Sequence, residues 1–480
     1  MVVGEITEER DLVIIGGGPG GYTAAIRAAQ LGLQVTLVEE GDLGGVCLNR
    51  GCIPSKIWTH TSKKISEVPQ MQEMGIGVSE PELDLDKLLT YKTKITEQLR
   101  TGVESLCQGN KIEVLQGKAT FTKEDRIGVE YGHQFDTYIF KHAIIATGST
   151  AVLPEGFPKA RSRILLSHEL FDLNEVPDHL LIYGHDYLVY EMASTYQSFG
   201  SKVTLIQDEE LDLDQAIEKE LKRSFKKKKI KVIQQDSLQS IEETDEGVTI
   251  QLTDQKGKVQ SIEGTHLFTS GNPIPNLDSL GINRFGVEQA ESGQIVVDHT
   301  MKSTASNIYA VGDVTEGPSL AVKAIKQGKV AAEAIAGENV EADLTFLPTI
   351  IHTCPPVASV GLTEQEAKEN ELEYLVGQFN LNANGYAKVT GKTDGTIKVI
   401  SDAKTEIILG IHMIGEGAVE LSSTFVQLLE MAAKVEDIRF PLFAHPSTNE
   451  GLLEAVEALT GQAIHNPPQK EQTKIKERSF

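Results

Sequence analysis

The stretch from Asp11 to Glu39 leaves few folds open to this chain. Residues 11–15 (DLVII) are a short apolar run of strand length. Gly16-Gly17-Gly18-Pro19-Gly20-Gly21 follows, then an alanine-rich helical stretch over 22–30, then a second strand over 34–39 that ends in an acid. Strand, GxGxxG, helix, strand and acid, in that order, make a dinucleotide-binding unit on a parallel sheet. Gly16 permits the tight turn, Gly18 lets a pyrophosphate reach the backbone, and Gly21 lets helix and strand pack closely. The helix N-terminus offers amides and the positive end of its dipole to phosphates. Glu39 is placed to accept hydrogen bonds from ribose hydroxyls.

Directly afterwards the chain reads GGVCLNRGCIPSK over residues 44–56. Four residues separate Cys47 from Cys52. On a helical turn that spacing can bring the sulfurs within bonding range, and Gly44 and Gly45 let a flat ring approach. A thiol pair this close forms a reversible disulfide and stores two electrons. It cannot hand a hydride to a nicotinamide, whereas a flavin accepts electrons from sulfur and also exchanges hydride. For the cysteine spacing alone, a structural disulfide or two buried thiols are competing readings.

Length and charge narrow the class. At 480 residues the chain has room for about three domains. Forty-five basic against 69 acidic residues leave a net charge of −24, which disfavours nucleic acid and anionic membranes as partners. No run of 18 apolar residues occurs, so no membrane span is expected. The amino terminus has no basic start with an apolar core, and four cysteines do not make a disulfide scaffold. A cytoplasmic protein is expected, where a disulfide is more often redox-active than structural.

The segment from Gly44 to Lys56 resembles the redox helix of the class I pyridine nucleotide-disulfide oxidoreductases, in its dihydrolipoamide dehydrogenase branch. The resemblance extends over nearly the whole chain. It implies an α/β fold with two Rossmann-like dinucleotide-binding domains and a C-terminal α+β dimerisation domain. The implied boundaries are an FAD domain over 1–150, an NAD-type domain over 151–275, a central domain over 276–346 that completes the FAD site, an interface domain over 347–465, and a tail over 466–480. In this pattern the first unit holds FAD, Gly45 and Lys56 lie beside the flavin, and the backbone at Ala119 meets the adenine. Gly148 closes the FAD domain in an ATGS strand end, Asp313 binds the ribityl chain, and the amide of Ala321 opens a helix aimed at the flavin pyrimidine.

The second unit repeats the architecture about 170 residues later, with strands at 180–183 and 202–206 around a helix over 191–199. Its turn does not repeat. Gly184 keeps the first glycine, but Asp186 and Val189 stand at the second and third, and Gln207 replaces the terminal acid. Gly271 is followed by Asn272 where the family carries arginine. Each change opposes NAD: a side chain and a carboxylate in the pyrophosphate path, bulk at the helix–strand contact, and a ribose contact without charge. A domain that folds but binds NAD poorly or not at all is expected. The basic run Lys226 to Lys229 reads as a solvated helix face, with a docking patch for an acidic partner as the alternative.

Near the carboxyl end, His445 and Glu450 have the family's spacing for a catalytic pair. A thiol of pKa about 8.5 needs a base, and a carboxylate on the other ring nitrogen fixes the tautomer. The resemblance implies a homodimer in which this histidine serves the other subunit's disulfide, and a lipoyl domain of a 2-oxoacid dehydrogenase complex as the source of dithiol. Cys354 reads as a core or surface thiol and not as a catalytic one. Two other readings stay open: a flavodisulfide oxidoreductase with a non-nicotinamide acceptor, and a non-enzymatic FAD-bound sensing or structural subunit.

Overall fold

The first apolar run forms β1 (Glu8–Ile15), fully covered from Leu12 to Ile15. It leads into α1 (Pro19–Gln30) and β2 (Val35–Glu39), which lies parallel to β1 with Leu12 opposite Val35. Gly20, Gly21, Ala24, Ala25 and Ala28 recur at helical spacing and form the buried face of α1. The chain continues through α2 (Gly45–Asn49), α3 (Cys52–Glu73) and α4 (Leu85–Gly109). Next come β3 (Glu113–Gln116), β4 (Lys118–Lys123), β5 (Arg126–Tyr131) and β6 (Gln134–Ile145). The sheet runs β3-β2-β1-β6-β5-β4, with one later strand also on β6. The computed structural model describes residues 8–159, 161–234, 237–254 and 256–466.

A second unit is inserted before that sheet is complete. β7 (Ser149–Val152) leads out, followed by β8 (Ile164–Leu165), α5 (Ser167–Leu170), β9 (His179–Tyr183), α6 (Tyr187–Ser198), β10 (Lys202–Gln207), α7 (Gln215–Lys227) and β11 (Lys231–Gln234). A three-stranded meander, β12 (Ser237–Glu243), β13 (Val248–Thr253) and β14 (Val259–Gly264), precedes β15 (His266–Thr269). The parallel sheet is ordered β11-β10-β9-β15-β8. β16 (Asn272–Pro275) returns antiparallel to β7, with Asn272 opposite Val152. Then β17 (Ile308–Ala310) pairs with β6, Ile308 opposite Ala143, and α8 (Ala321–Ile335) crosses α1. The crossing is tight: a Cβ on Gly328 would lie 2.4 Å from the Gly20 carbonyl oxygen.

The third unit is an antiparallel sheet with helices. Its elements are β18 (Thr349–Ile351), β19 (Val357–Gly361), α9 (Glu364–Glu369), β20 (Tyr374–Asn380), α10 (Gly385–Val389), β21 (Thr396–Asp402), β22 (Ile408–Ile414), α11 (Ala418–Glu430), α12 (Val435–Arg439) and α13 (Glu450–Ala458). The order is β18-β19-β22-β21-β20. α11 and α13 pack on this sheet, while Met431, Phe440, Leu442 and Ile464 stand at least 76% exposed. The buried ammonium of Lys398 on β21 lies 2.8 Å from Asp214, the residue that caps α7, and so ties this unit to the second.

Two local expectations change. The helix around the cysteines is interrupted at Arg50 and Gly51, which fall between α2 and α3. The helix of the second unit starts at Tyr187, four residues before Glu191. Lys226 and Lys227 end α7, and Lys227 pairs with Asp394 at 2.6 Å. Residues 467–480 of the expected tail, with 1–7, lie outside the described residues. No helix among the described residues is long and apolar enough to cross a membrane.

Candidate active site

Cys47 lies in α2 and Cys52 opens α3; they are joined as a disulfide with Cα atoms 4.6 Å apart. The other two cysteines are free, Cys107 buried and Cys354 half-buried. The cysteine segment rests on the first glycine turn. Gly45 has φ +58°, and a Cβ there would come within 2.8 Å of Gly18 Cα. Only a glycine pair lets the two backbones approach so closely.

The first cradle fits a flavin dinucleotide. A Cβ on Gly16 would lie 2.3 Å from the Ala146 carbonyl oxygen, and one on Gly21 1.8 Å from that of Gly16, so packing requires both glycines. At Gly18 the nearest atom is Gly45 Cα at 4.0 Å, and the α1 N-terminus behind it has no side-chain cap. Its amides are therefore free for a diphosphate. Glu39 ends β2 with its carboxylate accepting from the amides of Gly17 (2.6 Å) and Gly41 (2.7 Å). Across the sheet, Gly148 has φ +66°, and a Cβ there would meet nothing within 4 Å. Beside it, Ser149 Oγ donates to Asp313 Oδ2 at 2.7 Å. Ala321 begins α8, whose N-terminus also lacks a side-chain cap. Ala119 is buried on β4.

Lys56 projects from α3 toward the second unit. Its ammonium lies 2.7 and 2.8 Å from the two carboxylate oxygens of Glu191 and 5.5 Å from the centre of the Tyr187 ring. Glu191 is fully buried and also accepts from the His352 amide at 2.8 Å. Burial pushes its carboxyl above the ordinary range, and Lys56 opposes that rise. Burial, with Lys56 and Lys63 nearby, brings the His352 imidazole down to about 4. Sequence reasoning missed Glu191, Tyr187 and His352. The available signal was an acid set among Val189, Tyr190, Met192 and Ala193 on one helix.

The second cradle is built differently. Gly184 keeps a turn conformation at φ +134°, and Val189 is fully buried against it. Asp186 is the N-cap of α6: its Oδ1 accepts from the amides of Leu188 (2.9 Å) and Val189 (3.1 Å), and Ser270 also bonds the side chain. Gln207 is buried and donates to the Tyr190 hydroxyl. His185 Nδ1 lies 2.9 Å from Asp208 Oδ1. Gly271 has φ +74°, and a Cβ there would meet the Val152 carbonyl at 2.6 Å, so packing accounts for this glycine; Asn272 beside it is exposed. These residues do not fit a dinucleotide.

His445 stands 82% exposed, its Nδ1 2.8 Å from Glu450 Oε1, while Glu450 Oε2 accepts from the Ser447 amide at 2.8 Å. Burial raises the Glu450 carboxyl, but these two hydrogen bonds outweigh it and hold the group below its ordinary value. The arrangement fixes the ring and leaves Nε2 as the atom that can take a proton.

Residues 10–328 match the pyridine nucleotide-disulphide oxidoreductase family, and residues 347–456 match its dimerisation domain. The chain is 37% identical to a dihydrolipoyl dehydrogenase of Geobacillus stearothermophilus, over 97% of this chain and 99% of the relative. It is 38% identical to one of Staphylococcus aureus, over 97% of this chain and 100% of the relative. Among solved structures it is similar to the Cu(II) complex of the HOCl-induced flavoprotein disulfide reductase RclA from Escherichia coli. That likeness has a TM-score of 0.84 at 26% identity, and covers 94% of this chain and 99% of that one. With a flavin-shaped cradle set against a disulfide, and matches over nearly its full length, this chain belongs to the pyridine nucleotide-disulphide oxidoreductase family, as a flavoprotein disulfide oxidoreductase of the dihydrolipoyl dehydrogenase type.

Proposed function

We propose that the chain oxidises dihydrolipoamide, or a dithiol like it, through Cys47 and Cys52. The observation that carries this reading is the contact of Gly45 with Gly18, which sets the disulfide against an open flavin cradle. One thiolate of the substrate attacks Cys47 Sγ. The Cys47–Cys52 bond breaks, a mixed disulfide forms, and Cys52 leaves as a thiolate. The second substrate thiol then displaces Cys47, which closes the substrate disulfide and leaves the pair reduced by two electrons. His445 takes the proton from the attacking thiol, and Glu450 holds its ring. A flavin bound in the first cradle supplies the acceptor for the electron pair carried by Cys52.

The working unit in this reading is a homodimer, with His445 of one copy serving the disulfide of the other. The exposure of His445, Phe440 and Leu442 on the unit that matches the dimerisation family supports it. Gly16, Gly18, Gly21, Glu39, Gly45, Lys56, Ala119, Gly148, Asp313 and Ala321 hold the FAD. A lipoyl domain of a 2-oxoacid dehydrogenase complex supplies the dithiol, and the two free thiols suit the cytoplasm. NAD takes no part in this reading, because Asp186 and Val189 stand where a pyrophosphate turn carries glycine.

The test is an anaerobic titration of the purified, flavin-loaded dimer with dihydrolipoamide, followed by flavin absorbance. Stoichiometric reduction is expected. A spectrum unchanged by excess dithiol would overturn the proposal.

A further inference from the structure

The two Rossmann units differ at one point that decides what each can hold. At the first, the α1 N-terminus is uncapped and opens onto Gly18. At the second, the equivalent helix end is already filled. A diphosphate would use the first free amides of α6, and Asp186 Oδ1 accepts from two of them, those of Leu188 and Val189. We propose that the Asp186 carboxyl stands in for the diphosphate and closes this domain to NAD(H) and NADP(H).

Three further contacts act in the same direction. Gln207, at the strand end where a ribose-binding acid is expected, is turned inward to Tyr190 and buried. Beyond Gln207, the exposed Asp208, Glu209, Glu210 and Asp212 line the chain after β10. His185 bonds Asp208 and lies 3.8 Å from Glu209 across the outer lip of the turn. This acidic run faces any 2′-phosphate with charge of its own sign. The closure by Asp186 itself does not depend on charge. Burial pushes its carboxyl above the ordinary range, and a carboxyl oxygen accepts from the two amides in either protonation state.

The helix gains its cap from the same contact that closes the cradle. An N-cap oxygen satisfies amides that otherwise stay orphaned when no nucleotide binds. The domain thus keeps its fold, and with it the buried Glu191 that meets Lys56, without a ligand.

The decisive experiment measures binding of NAD+ and of ADP-ribose to the flavin-loaded protein by calorimetry, and flavin absorbance after anaerobic NADH. The optical signal presupposes the flavin reading above; the binding heats do not, and dihydrolipoamide in a parallel cuvette tests that reading separately. No heat and an unchanged spectrum with millimolar nucleotide are expected. Micromolar NAD+ binding, or prompt flavin reduction by NADH, would overturn the proposal. Asp186→Gly, which frees both amides, is expected to raise ADP-ribose affinity by about tenfold or more. Asp186→Asn, which keeps the capping oxygen, is expected to stay closed. If Asp186→Gly does not fold with its flavin, Asp186→Ala removes the same oxygen and takes its place. A folded variant of either kind that binds ADP-ribose no better than the parent, or Asp186→Asn that binds as well as Asp186→Gly, would overturn the role given to this residue.

Discussion

Lys56 Nζ and the Glu191 carboxylate, 2.7 Å apart, join the cysteine-bearing helix of the first unit to the first helix of the second. Glu191 is fully buried, so its charge depends on Lys56 and one amide. Lys56→Met removes the countercharge and leaves an acid in the interior. A loss of about 3–5 kcal/mol is expected, read as denaturant unfolding of the flavin-loaded protein. The double variant Lys56→Met/Glu191→Leu leaves no orphaned charge and is expected to lose less. A double variant no more stable than Lys56→Met would show that the pair carries no such coupling.

Replacing either sulfur removes the two-electron store. Cys47→Ser has no atom for the substrate to join, and Cys52→Ser has no leaving thiolate. Each is expected to lower dithiol-dependent flavin reduction by about a thousandfold or more, with normal flavin content. Rapid-mixing absorbance checks both. Comparable Cys107→Ser and Cys354→Ser variants are expected to react as the parent does.

His445 is exposed and bears no part of the core, so its replacement tests chemistry rather than folding. His445→Gln is expected to lower kcat/KM for the dithiol by about 10²–10⁴. Glu450→Gln keeps a hydrogen bond but removes its charge, and a smaller loss of about tenfold is expected. The pH profile of kcat/KM separates the two: at high pH, where substrate thiols ionise unaided, both deficits narrow. A deficit independent of pH would deny His445 the role of base.

The α1–α8 crossing predicts a glycine effect that no active-site motif contains. Gly328→Ala places a methyl group 2.4 Å from the Gly20 carbonyl oxygen, directly behind the diphosphate turn. A destabilisation of about 1–3 kcal/mol and weaker flavin retention are expected. Gly102→Ala, on α4 with nothing within 4 Å, is the control; it is expected to stabilise by about 0.5–1 kcal/mol. Thermal melts with the flavin signal measure both.

His352 gives a pH dependence of known sign. Its folded value of about 4 lies below the ordinary 6.5, so the unfolded chain binds the extra proton throughout that interval. Its contribution is present in full above about 6.5 and is lost as pH falls toward 4. Reduced for the ring's partial exposure, the stability lost between neutral pH and pH about 4 is about 2–3 kcal/mol. His352→Phe is expected to flatten the acid side of the stability–pH curve, measured by urea unfolding. An unchanged slope would deny the imbalance.

The fold was legible where sterics leave one solution. A strand, a glycine turn and an alanine-rich helix have a single way to pack, and β1, α1 and β2 follow it. The cysteine pair was legible as a pair, but not the break at Arg50 and Gly51, because nothing in the local pattern separates one bent helix from two. Asp186 shows the limit most clearly. A helix starting at Glu191 makes Asp186 only an obstacle to phosphate; the structure starts it at Tyr187 and makes Asp186 its cap. Aspartate before a helical run was the signal for that. Glu191 escaped because its partner lies 135 residues away, on another unit.

The placement of β17 bears on synthesis. β6 ends at Ile145 and β17 begins at Ile308, so the opening sheet lacks its neighbour on β6 until about 160 further residues have been translated. At about 5–20 residues per second the nascent chain waits roughly 8–30 seconds with that edge unpaired. A ribosome stalled anywhere in the insert therefore exposes the apolar flank of a half-built flavin pocket, and ribosome-associated chaperones have their longest opportunity to engage during that interval.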